Sequence, residues 1–260
     1  MKVLIKDSEE LAIADTARRL AEQVRHDPRS TLGLATGGTM TPVYLELARL
    51  HREEGLSFAG ITSFNLDEYV GLSPQHPQSY RQDMEQRLFA HVDIAAERTH
   101  LPAGDADDPE AEAEAYEKKV EAAGGIDLQL LGIGENGHIG FNEPSSSLGS
   151  STRIKRLAPS TIAANRRFFE HGEPLPTHAI TVGIGTIMRA KNILMLAIGE
   201  KKAEAVRAMV EGPVSAFCPA SALQYHPKVT LLLDPAAASA LALRDFYLDI
   251  HPHGEDRDLL

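Results

Sequence analysis

Seven short apolar runs, at residues 3–5, 32–35, 61–66, 128–133, 179–182, 193–198 and 229–233, recur along the chain without the polar alternation of a half-exposed strand. Runs of that kind suit strands buried on both faces, as in a parallel sheet covered by helices. Between several of them lie helical patterns with legible ends. Ser8 precedes Glu9-Glu10-Leu11, Thr41-Pro42 opens a stretch that Gly55 follows, and Pro109 opens one that Gly124-Gly125 closes. Strand then helix, repeated, predicts right-handed crossovers and an open, doubly wound, mostly parallel α/β sheet of the Rossmann-like kind, with helices on both faces. Ligands in that architecture sit at the carboxyl ends of the strands. The residues just after each run are therefore the candidates for chemistry.

One α/β catalytic domain over residues 1–250 accounts for this pattern at a length of 260 residues. The stretch 141–176, rich in Ser, Arg and Pro, breaks the rhythm and reads as a surface excursion with a short helix around 161–169, making residues 150–177 a lid. Residues 251–260 form a polar tail that is expected to fray. A formal net charge of −11, from 26 Lys+Arg against 37 Asp+Glu, has the wrong sign for a nucleic-acid backbone or an anionic membrane. Neither is expected as a partner, whereas a small anionic substrate needs only a few fixed donors in a cleft. The single cysteine, Cys218, cannot form an internal disulfide or a cysteine-based zinc cluster. No stretch approaches the roughly 18 apolar residues of a membrane span, and the first residues lack a signal-peptide core. A cytoplasmic protein is expected.

Four groups stand at strand ends. Thr36-Gly37-Gly38-Thr39 follows the second run and precedes a helix, where backbone N–H groups, hydroxyls and the positive helix end favour a phosphate. It has neither dinucleotide nor Walker spacing, so a monophosphate fits best. Asp67-Glu68-Tyr69 ends the third run; alternation lets one acid face the cleft, where a carboxylate can take a proton from carbon. His138 sits among Gly134, Gly137 and Gly140, with Asn136 and Glu143 near enough in sequence to orient it, and can move a proton between a ring oxygen and water. One histidine with no zinc spacing around it gives no expectation of a metal. Cationic residues form the fourth group: Arg153, Lys155, Arg156, Arg166 and Arg167 in the excursion, and Lys201 and Lys202 after Gly199. Those at a strand end or on the lid can reach a bound phosphate.

Read together and in order, the segments TGGT, FNLDEYVGL, HPQSY, GIGENGHIGFNEP, TRIK, TVGIGT and LQYHPK make the chain resemble the glucosamine-6-phosphate deaminase family, within a superfamily that also holds 6-phosphogluconolactonases. The resemblance implies an enzyme converting glucosamine 6-phosphate and water to fructose 6-phosphate and ammonia in amino-sugar catabolism, with no cofactor. It implies Asp67 as the base that moves a proton from C2 to C1, and His138 with Glu143 and Asn136 for ring opening. Thr36, Gly37, Gly38, Thr39, Arg167 and Lys202 would bind the substrate phosphate. Activation by N-acetylglucosamine 6-phosphate at a subunit boundary would use Ser146, Ser147, Arg153 and Lys155, in a homo-oligomer such as a hexamer.

The chain departs from the family pattern at two places in these motifs. Asn136 stands where several members carry Asp, and an amide orients a histidine without adding charge to it. Pro42 comes later than in the common TGGTP form. Galactosamine 6-phosphate as substrate, a 6-phosphogluconolactonase and a non-catalytic sugar-phosphate sensor are the competing readings. FNLDEY and FNEP argue against the lactonase, and the presence of both Asp67 and His138 argues against the sensor.

Overall fold

The computed structural model describes residues 1–170 and 172–256. Among them the strands are β1 (Lys2–Ile5), β2 (Thr31–Leu34), β3 (Thr62–Asn65), β4 (Asp67–Tyr69), β5 (Thr99–His100), β6 (Leu128–Leu131), β7 (Arg153–Arg156), β8 (His178–Thr181), β9 (Asn192–Ala197) and β10 (Val229–Leu233). The helices are α1 (Glu9–His26), α2 (Thr41–Glu54), α3 (Tyr80–Arg87), α4 (Pro109–Ala122), α5 (Pro159–Asn165), α6 (Ile184–Ile187), α7 (Ala203–Val210) and α8 (Arg244–Ile250). Their ends follow the local chemistry: the Ser8 hydroxyl caps α1, the Asp108 carboxylate caps α4, and Gly55 closes α2 in the left-handed region at φ 71°.

Seven strands form a parallel sheet in the order β1-β10-β9-β6-β2-β3-β5. From β1 the chain passes through α1 to β2 and through α2 to β3, moving towards one edge. From β5 it returns through α4 to β6, then reaches β9 and, through α7, β10, moving towards the other. Right-handed crossovers in opposite directions put α1 and α2 on one face and α4 and α7 on the other. The directions part between β2 and β6, which makes that pair the switch point of the sheet. Their pairing covers Leu32↔Leu128 and Gly33↔Gln129, short of both carboxyl ends. A side chain on Gly33 would come within 2.1 Å of Gln129 Oε1, so glycine is what lets the buried Gln129 side chain lie across β2.

The run at 179–182 is not in the parallel sheet, contrary to the expectation from its apolarity. It belongs to β8, the centre of a three-stranded antiparallel sheet of order β4-β8-β7. Leu66 joins the two sheets: its N–H donates to Leu34 O at 3.1 Å, and its carbonyl accepts Val182 N–H at 2.7 Å. The chain therefore leaves the large sheet at Leu66 and presents Asp67 as the first residue of the small one. Two buried tyrosines satisfy carbonyls at strand ends. Tyr44 Oη donates to Ala35 O at 2.5 Å, and Tyr116 Oη lies 2.8 Å from Asn65 O and 3.0 Å from His100 O.

The large core packs against both faces of the parallel sheet. A separate apolar cluster of Tyr69, Leu72, Phe141, Leu157, Phe169 and Ala179 lies beneath the excursion. The excursion itself holds β7, α5 and a 3-10 turn at Arg166–Phe168, so a helical stretch does occupy most of residues 161–169. The tail differs from expectation over its described part. Residues 251–256 are held down by Lys2 and Arg19 paired with Asp256, and by Lys6 Nζ donating to Gly254 O at 3.1 Å. Residues 257–260 lie outside the described residues. No described helix is long and apolar enough to cross a membrane.

Candidate active site

A cavity of about 970 Å³ opens at the carboxyl ends of the parallel strands, around the switch point. Its wall takes residues 35–40 from the turn after β2, Asp67 from β4, Tyr80, Asp83 and Arg87 from α3, residues 132–136 and His138 from the loop after β6, and residues 198–202 from the turn after β9. The excursion contributes Thr161, Asn165, Arg167 and Phe169. Members of all four strand-end and lid groups meet here: residues 36–39, Asp67, His138, and, of the cationic group, Arg167, Lys201 and Lys202, whereas Arg153, Lys155, Arg156 and Arg166 lie elsewhere.

Asp67 is buried at 5 % exposure. Burial, reinforced by the charge of Glu68, raises its carboxyl to about 8, against the opposing pull of the Phe141 amide and the Thr36 hydroxyl. The neighbouring acid faces away. Glu68 Oε1 accepts the N–H groups of Tyr69 (2.9 Å) and Tyr80 (3.0 Å), and Oε2 accepts Arg81 N–H (2.9 Å), so this carboxylate anchors the first turn of α3. Burial pushes the Glu68 carboxyl up while those amides hold it down. One acid of the pair thus meets the cleft and the other builds the wall, as strand alternation requires.

His138 is set by glycine. Gly134 N–H donates to His138 O and Gly137 N–H to Gly134 O, both at 2.9 Å, and Gly137 takes φ 83° to close this turn. A side chain on Gly134 would lie 2.2 Å from His138 Cε1, so the imidazole stacks where any other residue would displace it. Its buried Nδ1 faces Glu143 Oε2 at 3.4 Å. Asn136 ties the loop together, with Oδ1 accepting His138 N–H at 3.2 Å and Nδ2 donating to Glu143 Oε2 at 2.8 Å. Glu143 Oε1 accepts Thr161 Oγ1 at 2.5 Å and Ala158 N–H at 3.2 Å, both from the excursion. Burial alone would raise the Glu143 carboxyl, but His138, Thr161 and Asn136 together outweigh it and bring it down to about 2. The carboxyl in the cavity wall and the one behind His138 are thus driven in opposite directions, Asp67 up and Glu143 down.

The turn 36–39 leads into α2 with Pro42 in the first turn of the helix, and Gly37 takes φ 111°. Gly37 and Gly38 have open space where side chains would stand, which leaves their backbone accessible from the cavity. Across it, Lys202 is half-buried; burial holds its ammonium below the usual lysine range, partly offset by Glu135. Arg167 lines the cavity from the excursion. Among the described residues no group of three or more His, Cys, Asp or Glu side chains is arranged to hold a metal ion.

Ser146, Ser147, Arg153 and Lys155 do not line this cavity. Ser146 is buried, Ser147 is exposed, and Arg153 Nη1 donates to Asn142 Oδ1 at 2.9 Å. Sequence reading passed over the wall residues Tyr80, Asp83, Arg87 and Asn165. The first three recur at helical spacing along α3, a signal that could have marked one face of it; Asn165 carried none.

The family model described as glucosamine-6-phosphate isomerases/6-phosphogluconolactonase matches residues 6–232. A protein of Shewanella loihica named glucosamine-6-phosphate deaminase is 54% identical over 253 residues, covering 97% of this chain and 94% of that protein. A solved structure described as a monomeric glucosamine-6-phosphate deaminase superimposes with a TM-score of 0.90 at 48% identity, covering 92% of this chain and all of that one. A 6-phosphogluconolactonase from Trypanosoma cruzi shares the fold, with a TM-score of 0.75 at 19% identity over 93% of this chain and 97% of that one. With a match over most of its length and relatives at about half identity, the chain belongs to the family of glucosamine-6-phosphate isomerases and 6-phosphogluconolactonases, among the members named glucosamine-6-phosphate deaminase.

Proposed function

We propose that the chain converts glucosamine 6-phosphate and water to fructose 6-phosphate and ammonia, as a cytoplasmic step of amino-sugar catabolism. The observation that carries this is the opposed pair of carboxyls: Asp67, raised to about 8, and Glu143, lowered to about 2 beside His138. A lactone hydrolysis gives no task to a buried carboxylate poised to take a proton from carbon. An aldose–ketose rearrangement requires one.

In this reading the open backbone of residues 36–39, with Lys202 and Arg167, holds the substrate phosphate. His138, oriented by Glu143 and Asn136, carries the proton that moves between the ring oxygen and the C1 hydroxyl as the pyranose opens. Asp67 takes the C2 proton of the open-chain aldehyde, leaving an enolamine, and returns a proton at C1. The resulting C2 imine adds water and releases ammonia, leaving the ketone. No step changes the overall oxidation state, so none calls for a redox cofactor.

We also propose N-acetylglucosamine 6-phosphate as an activator bound through Ser146, Ser147, Arg153 and Lys155 at a boundary between subunits of a homo-oligomer. Ser146 Oγ and Arg153 Nη2 are buried without a hydrogen-bond partner, which supports a polar ligand beside them. The test is release of ammonia and fructose 6-phosphate from glucosamine 6-phosphate, beside galactosamine 6-phosphate and 6-phosphogluconolactone, with and without the acetylated sugar, alongside a light-scattering mass. Release from glucosamine 6-phosphate is expected. Lactone hydrolysis without ammonia release would overturn the deaminase assignment, and a monomer indifferent to the acetylated sugar would remove the second site.

A further inference from the structure

The turn that brings Lys202 to the cavity opens on Gly199, which takes φ 87° and ψ 152°. A side chain there would meet nothing within 4 Å, so conformation and not crowding calls for the glycine. Glycine visits that region and many others with similar ease, and a turn built on it needs a contact from elsewhere to select one shape. Lys202 depends on the shape selected: its N–H donates to Gly199 O at 3.0 Å and closes the 3-10 turn Glu200–Lys202.

That contact comes from the neighbouring strand. β10 pairs with β9 as far as Leu233↔Ala197. Asp234, the next residue, is buried, and its Oδ1 accepts Gly199 N–H at 3.0 Å and Ala237 N–H at 2.8 Å. The bond to Ala237 is local, of the kind an Asp side chain makes to an amide shortly after it. The bond to Gly199 spans 35 residues of sequence and ties the turn after β9 to the end of β10. Asp234 itself does not line the cavity, whereas Gly199 and Lys202 do.

Building on the reading of Lys202 as a ligand of the substrate phosphate, we propose that Asp234 is a positioning residue for substrate binding, whose bond to Gly199 fixes the turn that aims Lys202 at the phosphate. Among the described residues the Asp234 carboxylate hydrogen-bonds Gly199 and Ala237 only, so its effect on the cavity runs through this turn. The groups proposed for proton transfer are held by other elements: Asp67 begins β4, and His138 stands in the loop after β6 beside Glu143. Loss of the Asp234–Gly199 bond therefore weakens the hold on phosphate and leaves proton transfer in place.

The test measures binding of inorganic phosphate by phosphorus-31 NMR, together with kcat and KM for glucosamine 6-phosphate. The variants are Asp234→Ser, Asp234→Asn, Lys202→Met and the double variant Asp234→Ser/Lys202→Met. Serine keeps a short acceptor for Ala237 N–H but does not reach Gly199, which separates the local bond from the crossing one. Asparagine keeps an acceptor oxygen at the same reach and removes only the charge. Asp234→Ser is expected to bind phosphate about three- to tenfold more weakly, the worth of one such hydrogen bond, and to raise KM by a similar factor with kcat within about twofold. Asp234→Asn should bind phosphate within about twofold of the wild type. In the Lys202→Met background Asp234→Ser should cost nothing further, because the turn then carries no ammonium to aim. Unchanged phosphate binding in Asp234→Ser, an equal loss in both backgrounds, an Asp234→Asn as impaired as Asp234→Ser, or a fall in kcat at constant KM would overturn the role of Asp234. Lys202→Met with phosphate affinity unchanged would overturn it too. Absence of ammonia release by the wild type would instead overturn the reaction, while the phosphate titrations still decide the role of Asp234.

Discussion

Asp67 in the cavity wall and Glu143 behind His138 are both acids, and their surroundings give them opposite thermodynamic signs. The ordinary value for Asp is 3.8, and in the folded chain Asp67 is raised to about 8. Folding therefore favours its protonated form. The stability this contributes is complete below pH 3.8 and is lost as the pH rises through about 8, so at neutral pH the group is a burden that the proposed reaction would explain. Asp67→Asn removes that burden along with the proposed base. It should abolish exchange of the C2 proton with solvent, raise Tm by about 2–4 °C near pH 8, and lose that advantage below pH 4. Thermal melts across pH and proton exchange followed by NMR check both halves. A variant destabilised equally at pH 4 and pH 8 would mean that Asp67 is held for its contacts and not for its charge. The residues of this chemistry were legible in the sequence because Asp67, Asn136, His138 and Glu143 occur in short motifs directly after strands. Tyr80 stood in the HPQSY segment without a role read for it, and Asn165 carried no signal, because only folding brings its amide from α5 to the wall where the tyrosine hydroxyls stand.

Glu143 also works at the scale of elements, since its two oxygens face different parts of the chain. Oε2 meets Asn136 and His138 in the loop after β6, and Oε1 meets Ala158 N–H and the Thr161 hydroxyl at the start of α5. The imidazole and α5 are therefore fixed by one carboxylate. Its pKa is lowered from 4.5 to about 2, so the stability it provides is complete above pH 4.5 and is lost as the pH falls through about 2. Thr161→Val keeps the shape and deletes a hydrogen bond to a charged acceptor, at a cost of about 1–2 kcal/mol. The variant should lose lid order first. Limited proteolysis within residues 158–165 should accelerate, and acid-induced cleavage there should begin at a higher pH than in the wild type. Unchanged cleavage would show that the apolar cluster under the lid holds α5 without Glu143. The strands illustrate where the sequence signal stops. Six strands of the parallel sheet, all but β5, stand out as buried apolar runs, but β8 carries the same kind of run in an antiparallel sheet, and apolarity alone does not encode direction. β7 is an Arg-Ile-Lys-Arg edge and β5 is two residues long, so neither leaves an apolar run.

For the molecule as a whole, the decisive arrangement is the division of apolar burial. One cluster spans the parallel sheet and its helices, whereas the cluster beneath the lid rests on six buried side chains. Each buried aliphatic or aromatic side chain contributes about 1.5–3 kcal/mol. The smaller cluster therefore supports an opening free energy well below that of global unfolding. Its ring system is nevertheless tied to the site, because Tyr69 touches Tyr80, Phe141 and Phe169 while its hydroxyl meets Asn165. Arg167 reaches the cavity from the same excursion. A sugar phosphate bound between the turn at 36–39 and Arg167 should therefore stabilise the lid region far more than the sheet. In hydrogen exchange, amides of residues 157–169 are expected to exchange faster than those of β6, β9 and β10 in the free protein. They should slow by at least about tenfold with saturating glucosamine 6-phosphate or a non-reactive amino-sugar phosphate. The central strands should be unchanged until the whole chain opens. If ligand instead slowed exchange equally everywhere, the lid would be part of one cooperative unit, and substrate would act by stabilising the entire fold.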